Sequence, residues 1–457
     1  MHIEQMYGEG LAIFSYMLWS EQNRQCVIID PTIDSGRFMQ IAKEHGLTVT
    51  HLLETHVHAD FLSGCALLRE KITPKPEIVC SALGGKEWLP SYATIAAENG
   101  FAIDFPEGKL EAFHTPGHTP EHLSWLLYEK EHGQFVLSTM FSGDFILIGS
   151  VGRPDLLGSK SAAKLAEDQF DSLFIRTKEL PDHLILLPAH GAGSICGKAI
   201  AKASSSTLGQ ERRMNPYFAQ KEKSIWCQQL LQDQTKPASY LSAIKRNNLT
   251  PQPHAGQPII LRSPINFKDY FLVDIRAPEE FANSFLPGAL NIPFKPHFSN
   301  WFMNLYDAAE KRPLLLIHNS DSQCAKAVHD LHLIGIASIY CWKYQAKELA
   351  NEDRSFNLIA PEELFDKLND FYLIDVRSQD EWRQEHIADS KNIPFEAIKD
   401  SLAMLPKDKP IAVICGSGSR ASIAASILED KGFTICNIKG GMNAWKEKQL
   451  PLEVLAK

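Results

Sequence analysis

Two histidines and an aspartate, His56, His58 and Asp60, fall within five residues in the stretch LETHVHADFLSG. Three further segments carry groups of the same kind: His118 in TPGHTPEH, Asp144 in FSGDF and His190 in LLPAHG. Imidazole and carboxylate are the usual ligands of zinc and non-heme iron, so these segments, brought together, would build a metal site. Phe61 follows Asp60 where another histidine would enlarge the ligand set, and its ring has no lone pair to donate. A second candidate lies in VICGSGSRAS, where Cys415 ends an apolar run and Gly416, Ser417, Gly418 and Ser419 separate it from Arg420. Glycines let successive backbone N–H groups turn toward one point, and a helix start adds partial positive charge. A cysteine there is expected to be nucleophilic.

The elements that must position these groups are strands. VTHLLETH, FVLSTMFSGD and HLILLPAH are apolar runs that deliver His56, Asp144 and His190 at their ends, and His118 stands in a Pro-Gly turn before another. Strand ends on a rigid scaffold offer side chains to a common site. Any one histidine taken alone reads rather as a surface or capping residue; the ordered set HxHxD, PGHT, SGD and PAH argues for convergence. Cys196, six residues beyond His190, could reach the same cleft or simply pack as a small hydrophobe.

A repeat organises the rest. YFLVDIRAPEEFANSFLPGALNIPF returns as FYLIDVRSQDEWRQEHIADSKNIPF, pairing Asp274 with Asp375 and Asn291 with Asn392. RPLLLIHNSDSQCAKAV parallels KPIAVICGSGSRASIAA, which sets His318 opposite Cys415. Two copies of this length read as duplicated α/β domains rather than a solenoid. Three units follow: residues 1–240, 256–350 and 356–457, with a proline-rich linker over 241–255. Trp301, Trp342, Trp382 and Trp445 are core candidates.

Length agrees, since 457 residues at roughly 150 per domain suggest three. A net charge of −9 argues against nucleic-acid and anionic-membrane surfaces. No apolar run approaches the ~20 residues of a membrane span, and the N-terminal stretch lacks a signal-peptide pattern. Nine scattered cysteines without a CxxC pair read as reduced thiols, hence a cytoplasmic protein.

The HxHxD, PGHT, SGD and PAH order resembles the metallo-β-lactamase superfamily over nearly all of residues 1–210. The resemblance implies an αββα sandwich, where periodicity alone gives mixed α/β. Dinuclear hydrolases of the superfamily show HxHxDH; with Phe61 in the last place, the second position keeps Asp60, His190 and a shared Asp144, a poor cage for zinc. A narrower resemblance is to persulfide dioxygenases, which implies one mononuclear Fe(2+) per chain held by His56, His118 and Asp144. Such a facial triad leaves positions open for a sulfur and for O2. It also implies that His58, Asp60 and His190 orient ligands, that His114 is structural, and that Arg153 in GSVGRPDL faces substrate carboxylates, with a salt-bridging role as the competitor.

The Cys415 loop resembles the active loop of rhodanese sulfurtransferases; the related phosphatases place five residues between Cys and Arg, against four here. The middle repeat, with His318 and no arginine, resembles a rhodanese that has lost its nucleophile and reads as a structural or docking module. The whole resembles a bacterial persulfide dioxygenase–sulfurtransferase fusion: a metallo-β-lactamase-like sandwich followed by two rhodanese-like α/β domains. That implies oxidation of a small-molecule thiol persulfide by O2 to sulfite, and transfer of sulfane sulfur through Cys415 to give thiosulfate. A homo-oligomer is left open. The rivals are a dinuclear zinc thioesterase of glyoxalase II type fused to a sulfurtransferase, and a non-catalytic sulfur carrier or sensor.

Overall fold

The strand Ile13–Trp19 is buried along its whole length, and its side chains divide between two cores, as strand alternation requires. Phe14, Tyr16 and Leu18 enter one cluster, Met17 and Trp19 another. The computed structural model describes residues 1–156, 159–232, 237–238, 240–250, 258–261, 266–345 and 353–454. It separates the chain into residues 1–254 with 306–308 and 330–336, and residues 255–305, 309–329 and 337–457.

In the first unit a six-stranded sheet runs His2–Gly8, Ile13–Trp19, Gln25–Ile29, Thr48–Leu53, Glu77–Ser81, Ile95–Ala97. A second runs Ser206–Thr207, Ile185–Pro188, Gln134–Gly143, Leu123–Glu131, Gly108–His114, Ala102–Phe105. Leu110, Leu123, Trp125 and Phe141 of the second pack on Phe14, Val27 and Leu53 of the first, sheet on sheet. Helices cover both outer faces. Phe38 of Ser35–Glu44 and Leu68 of Cys65–Lys71 lie in one cluster with Met17, Ile28 and Leu52. Ala166 of Ser159–Asp171 and Trp226 of Lys223–Leu231 lie in another with Met140 and Leu186. The αββα sandwich is therefore present.

Direction matters more than count. Gln25–Ile29 runs parallel to Thr48–Leu53, and Gln134–Gly143 parallel to Ile185–Pro188. Parallel neighbours end on the same side, so Asp30 meets the loop of His56, and Asp144 meets His190.

In the second unit both repeats form five-stranded parallel sheets with one strand order. The first is Ile259–Leu261, Ile339–Lys343, Leu314–His318, Phe271–Asp274, Leu290–Asn291. The second is Asn357–Ile359, Ile435–Ile438, Ile411–Ile414, Tyr372–Asp375, Lys391–Asn392. Strands covered on both faces need continuous apolar runs, which LLLI and IAVI supply. The repeated Asp, Arg and Asn form an internal lock. Arg377 Nη2 donates to Asp375 Oδ2 at 2.6 Å and to the Glu385 carbonyl at 2.7 Å, while Asn392 Nδ2 donates to the carbonyls of Asp375 and Arg377. Asp274, Arg276 and Asn291 repeat it.

Part of the expected linker is helical. Leu241–Leu249 buries Leu241, Ile244 and Asn248, an apolar spacing hidden among polar residues; 251–255 lie outside the described residues. Among the described residues, no helix is long and apolar enough to cross a membrane.

Candidate active sites

The first site is assembled from loops at strand ends. His56, His118 and Asp144 are buried, and each offers one ligand atom within 4.8 Å of the others. The Thr55 hydroxyl donates to Asp30 Oδ2 at 2.8 Å and so accepts from His56 Nδ1 at 2.9 Å. His118 Nδ1 donates to the Arg153 carbonyl at 2.8 Å. Both rings thereby carry their proton on Nδ1 and turn a free Nε2 lone pair toward Asp144, at 3.9 Å for His56 and 3.5 Å for His118. The facing oxygen, Asp144 Oδ2, is buried and accepts no hydrogen bond. Two imidazole lone pairs and a carboxylate oxygen around one point repel one another unless a cation lies between them. The donor set fits a metal ion.

Electrostatics agrees. Burial, then His58, His118 and His122, pushes His56 well below the usual imidazole range, and burial lowers His118. Burial opposes ionisation of Asp144, but His190 overrides it and holds the carboxyl low. Neutral imidazoles and an ionised carboxylate are the ligand forms a metal needs.

His190 lies between two carboxylates: Nδ1 donates to Asp144 Oδ1 at 2.6 Å and Nε2 stands 2.8 Å from Asp60 Oδ2. His58 turns away from the donor cluster, with Nε2 3.0 Å from Asp30 Oδ1 and its ring 4.1 Å from that of Phe61. Phe61 is fully buried. His114 is held by the Pro120 carbonyl at 3.0 Å, outside the donor cluster. Arg153 is buried, with Nε and Nη2 each 2.8 Å from an oxygen of Asp155. Gly152 before it could not be another residue: a Cβ would lie 2.0 Å from the Asp144 carbonyl oxygen and 3.0 Å from the His118 side chain.

Cys196 does reach this cleft. Asp60, His190 and Cys196 form a second group of buried donor atoms within 4.8 Å of one another. Burial, with Asp60 and Asp144 adding negative charge, raises the thiol far above its ordinary range.

Sequence reasoning missed three residues. His122 Nε2 accepts from the Asp144 backbone N–H at 3.1 Å and its ring stacks on His56 at 5.1 Å. Asp30 fixes Thr55 and His58, and Glu121, raised to about 7 by burial, accepts from the Val57 N–H at 2.8 Å. Their sequence signal was a polar residue at the end of a buried strand, as in CVIIDP and PEHLSW.

The second site centres on Cys415, at the end of Ile411–Ile414. Gly418, with φ +95°, starts the helix Ser419–Asp430 and donates its N–H to Cys415 Sγ at 3.2 Å. Gly441 packs beneath; a Cβ there would meet the Cys415 carbonyl oxygen at 2.2 Å. Arg420 forms two hydrogen bonds, 2.7 and 2.8 Å, with Glu381. Cys415, Gly416, Ser417, Ser419 and Arg420 line one cavity of about 450 Å³. In the middle repeat, His318 is buried at the matching strand end beside Cys324 and Cys341, in a separate cavity of about 360 Å³.

The metallo-beta-lactamase superfamily model matches residues 8–190, and the rhodanese-like domain model matches 258–344 and 360–448. The mitochondrial persulfide dioxygenase ETHE1 of Bos taurus is 31% identical over 215 residues, covering 47% of this chain and 74% of that protein. The chain belongs to the persulfide dioxygenase family. Unlike a bare member of that family it carries two rhodanese-like domains, the fusion architecture expected. A metallo-beta-lactamase crystal structure from Staphylococcus aureus subsp. aureus COL is 30% identical with a TM-score of 0.67, covering 75% of this chain and 99% of that one. The hydroxyacylglutathione hydrolase GloC of Haemophilus influenzae is 27% identical, covering 45% of this chain and 92% of that protein.

Proposed function

We propose that this persulfide dioxygenase–rhodanese fusion oxidises low-molecular-weight thiol persulfides with O2 to sulfite, and passes sulfane sulfur through Cys415 to sulfite, giving thiosulfate. The biological role is detoxification of sulfide and persulfide in the cytoplasm. The observation that carries the reading is the His56–His118–Asp144 donor set, with both Nδ1 positions fixed and Phe61 beside it. His56, His118 and Asp144 would hold one Fe(2+) per chain, which would supply the activation of O2 toward a persulfide sulfur.

The chain's own groups do the rest. His190, braced by Asp60, holds Asp144 so that Oδ2 stays in the site. Phe61 contributes bulk without a lone pair and packs His58 toward Asp30. Arg153, oriented by Asp155, faces a carboxylate of the thiol, and Cys196 borders the same cleft. In the other unit, Cys415 attacks the outer sulfur of a persulfide and releases the thiol; the loop N–H groups hold the resulting anion. The test is product analysis with oxygen uptake: sulfite from persulfide and O2 at the first site, thiosulfate only with Cys415 present.

One observation favours a second reading, a dinuclear thioesterase of glyoxalase II type. The second position has a further donor in Cys196, which spacing did not count. Two zinc ions per chain with thioester hydrolysis would establish it.

A further inference from the structure

The middle repeat carries His318 where the last repeat carries Cys415, yet it walls the Cys415 cavity. Lys295, His297 and Trp301 of that repeat line the cavity of Cys415. Trp301, expected in a core, is only half-buried; its ring centroid is 5.9 Å from that of His297. Arg420 acts on His297 electrostatically, lowering its pKa after burial, so the two groups share one space.

The placement is anchored. Asn291 lies four residues before Lys295, and its side-chain Oδ1 accepts from Ser422 Oγ while its backbone N–H donates to Ser426 Oγ at 3.2 Å. Both serines lie on the helix Ser419–Asp430, which begins at the Cys415 loop. The middle repeat's loop is thus keyed to the active helix itself.

The cavity also holds an unmet hydrogen-bonding group. Ser419 is 3% exposed, and its Oγ has no hydrogen-bond partner. Buried hydroxyls without partners are uncommon, because desolvation is then uncompensated. Arg420 offers little spare charge: Glu381 takes two of its hydrogen bonds, and Glu396 also acts on it. Lys295 is the cationic side chain that remains along the lining, and the neutral imidazole of His297 beside it offers an N–H.

We propose that Lys295 and His297 of the middle repeat bind the sulfur oxyanion that accepts sulfur from Cys415, making the repeat the acceptor-recognition half of a composite site. The inference rests on the sulfur-transfer reading above. The Cys415 persulfide is an anion, and so is the incoming sulfite; bringing them together needs positive charge that neither supplies. Lys295 and His297 face the acceptor's oxygens from one side, and Ser419 Oγ donates from the other. The sulfur of sulfite then attacks the outer sulfur of Cys415–S–S⁻. A new S–S bond forms, the old one breaks, and its electron pair returns to Cys415 Sγ as the thiolate while thiosulfate leaves. Charge balances at −3 on both sides. The specificity of the transfer therefore resides partly in the repeat that carries His318 in place of the strand-end cysteine.

The test measures thiosulfate formation by the full chain against sulfite concentration, at saturating persulfide. Lys295→Gln should raise the KM for sulfite roughly tenfold, the loss expected for one charge-assisted hydrogen bond, with kcat little changed. His297→Gln should act in the same direction, and Lys295→Arg should restore most of the affinity. Mass spectrometry should find one added sulfur atom on Cys415 in each variant at the normal rate, which separates acceptor binding from loading. An unchanged KM in the Lys295→Gln, His297→Gln double variant overturns the inference and leaves the Cys415 reading standing. A native protein that loads Cys415 but gives no thiosulfate with sulfite removes the acceptor assignment, and this inference with it.

Discussion

His190 Nδ1 donates to Asp144 Oδ1 at 2.6 Å, and the other oxygen of the same carboxylate is left buried and unbonded between His56 and His118. One hydrogen bond thus decides which carboxylate oxygen is left to face the two imidazoles. His118→Ala should remove one of two nitrogen donors, so that iron is lost and oxygen uptake disappears while Cys415 still loads sulfur. His190→Gln should be milder, weakening iron affinity about 10–100-fold, as loss of a ligand's hydrogen-bond support does. Normal iron content in the His118→Ala protein, read by metal analysis, contradicts the ligand assignment.

Phe61 offers a test of design against damage. Phe61→His should leave oxygenase activity largely intact and add at most weak binding of a second metal beside Asp60, His190 and Cys196. A large gain of hydrolytic activity with two metals bound would mean that the native site is an impaired dinuclear one.

The two units should separate cleanly in their products. Cys415→Ser should keep O2 consumption and release sulfite, while thiosulfate falls to what sulfite and persulfide form spontaneously. His318→Ala should alter neither product, because imidazole forms no persulfide and His318 lines a different cavity. Undiminished enzymatic thiosulfate from the Cys415→Ser protein moves suspicion to Cys196.

The Asp–Arg lock is structural in both repeats. Arg377→Ala leaves the Asp375 carboxylate buried and unpaired, at a cost of about 3–5 kcal/mol. Amide hydrogen exchange at Ile374 and Ile414 should accelerate accordingly, while exchange at Leu52 in the first unit stays as it was.

Much of this was legible in the sequence, for identifiable reasons. His56, Asp144 and His190 each close a strand-like run and His118 stands in a Pro-Gly turn before one, so a reader of apolar patterns meets them where a sandwich presents side chains. The duplicated sheets announced themselves through aligned DxR and NIPF segments, though these mark an internal lock rather than chemistry. What escaped notice acts through the backbone or across long separations. His122 and Asp30 bond to main-chain or hydroxyl groups dozens of residues away or nearby in space only, and no spacing rule reports that. Cys196 as a donor beside Asp60 depends on how two loops meet. An aromatic side chain such as Trp301 reads as core, yet it faces the cavity of a neighbouring repeat.

The central claim is that the His56–His118–Asp144 site binds iron and oxidises persulfide. Metal content and oxygen uptake, measured together on the purified full chain with a low-molecular-weight thiol persulfide, test it most directly. The account predicts one iron per chain, with O2 consumed and sulfite formed in proportion to persulfide. Two zinc ions per chain, no O2 consumption and hydrolysis of a glutathione thioester would contradict it.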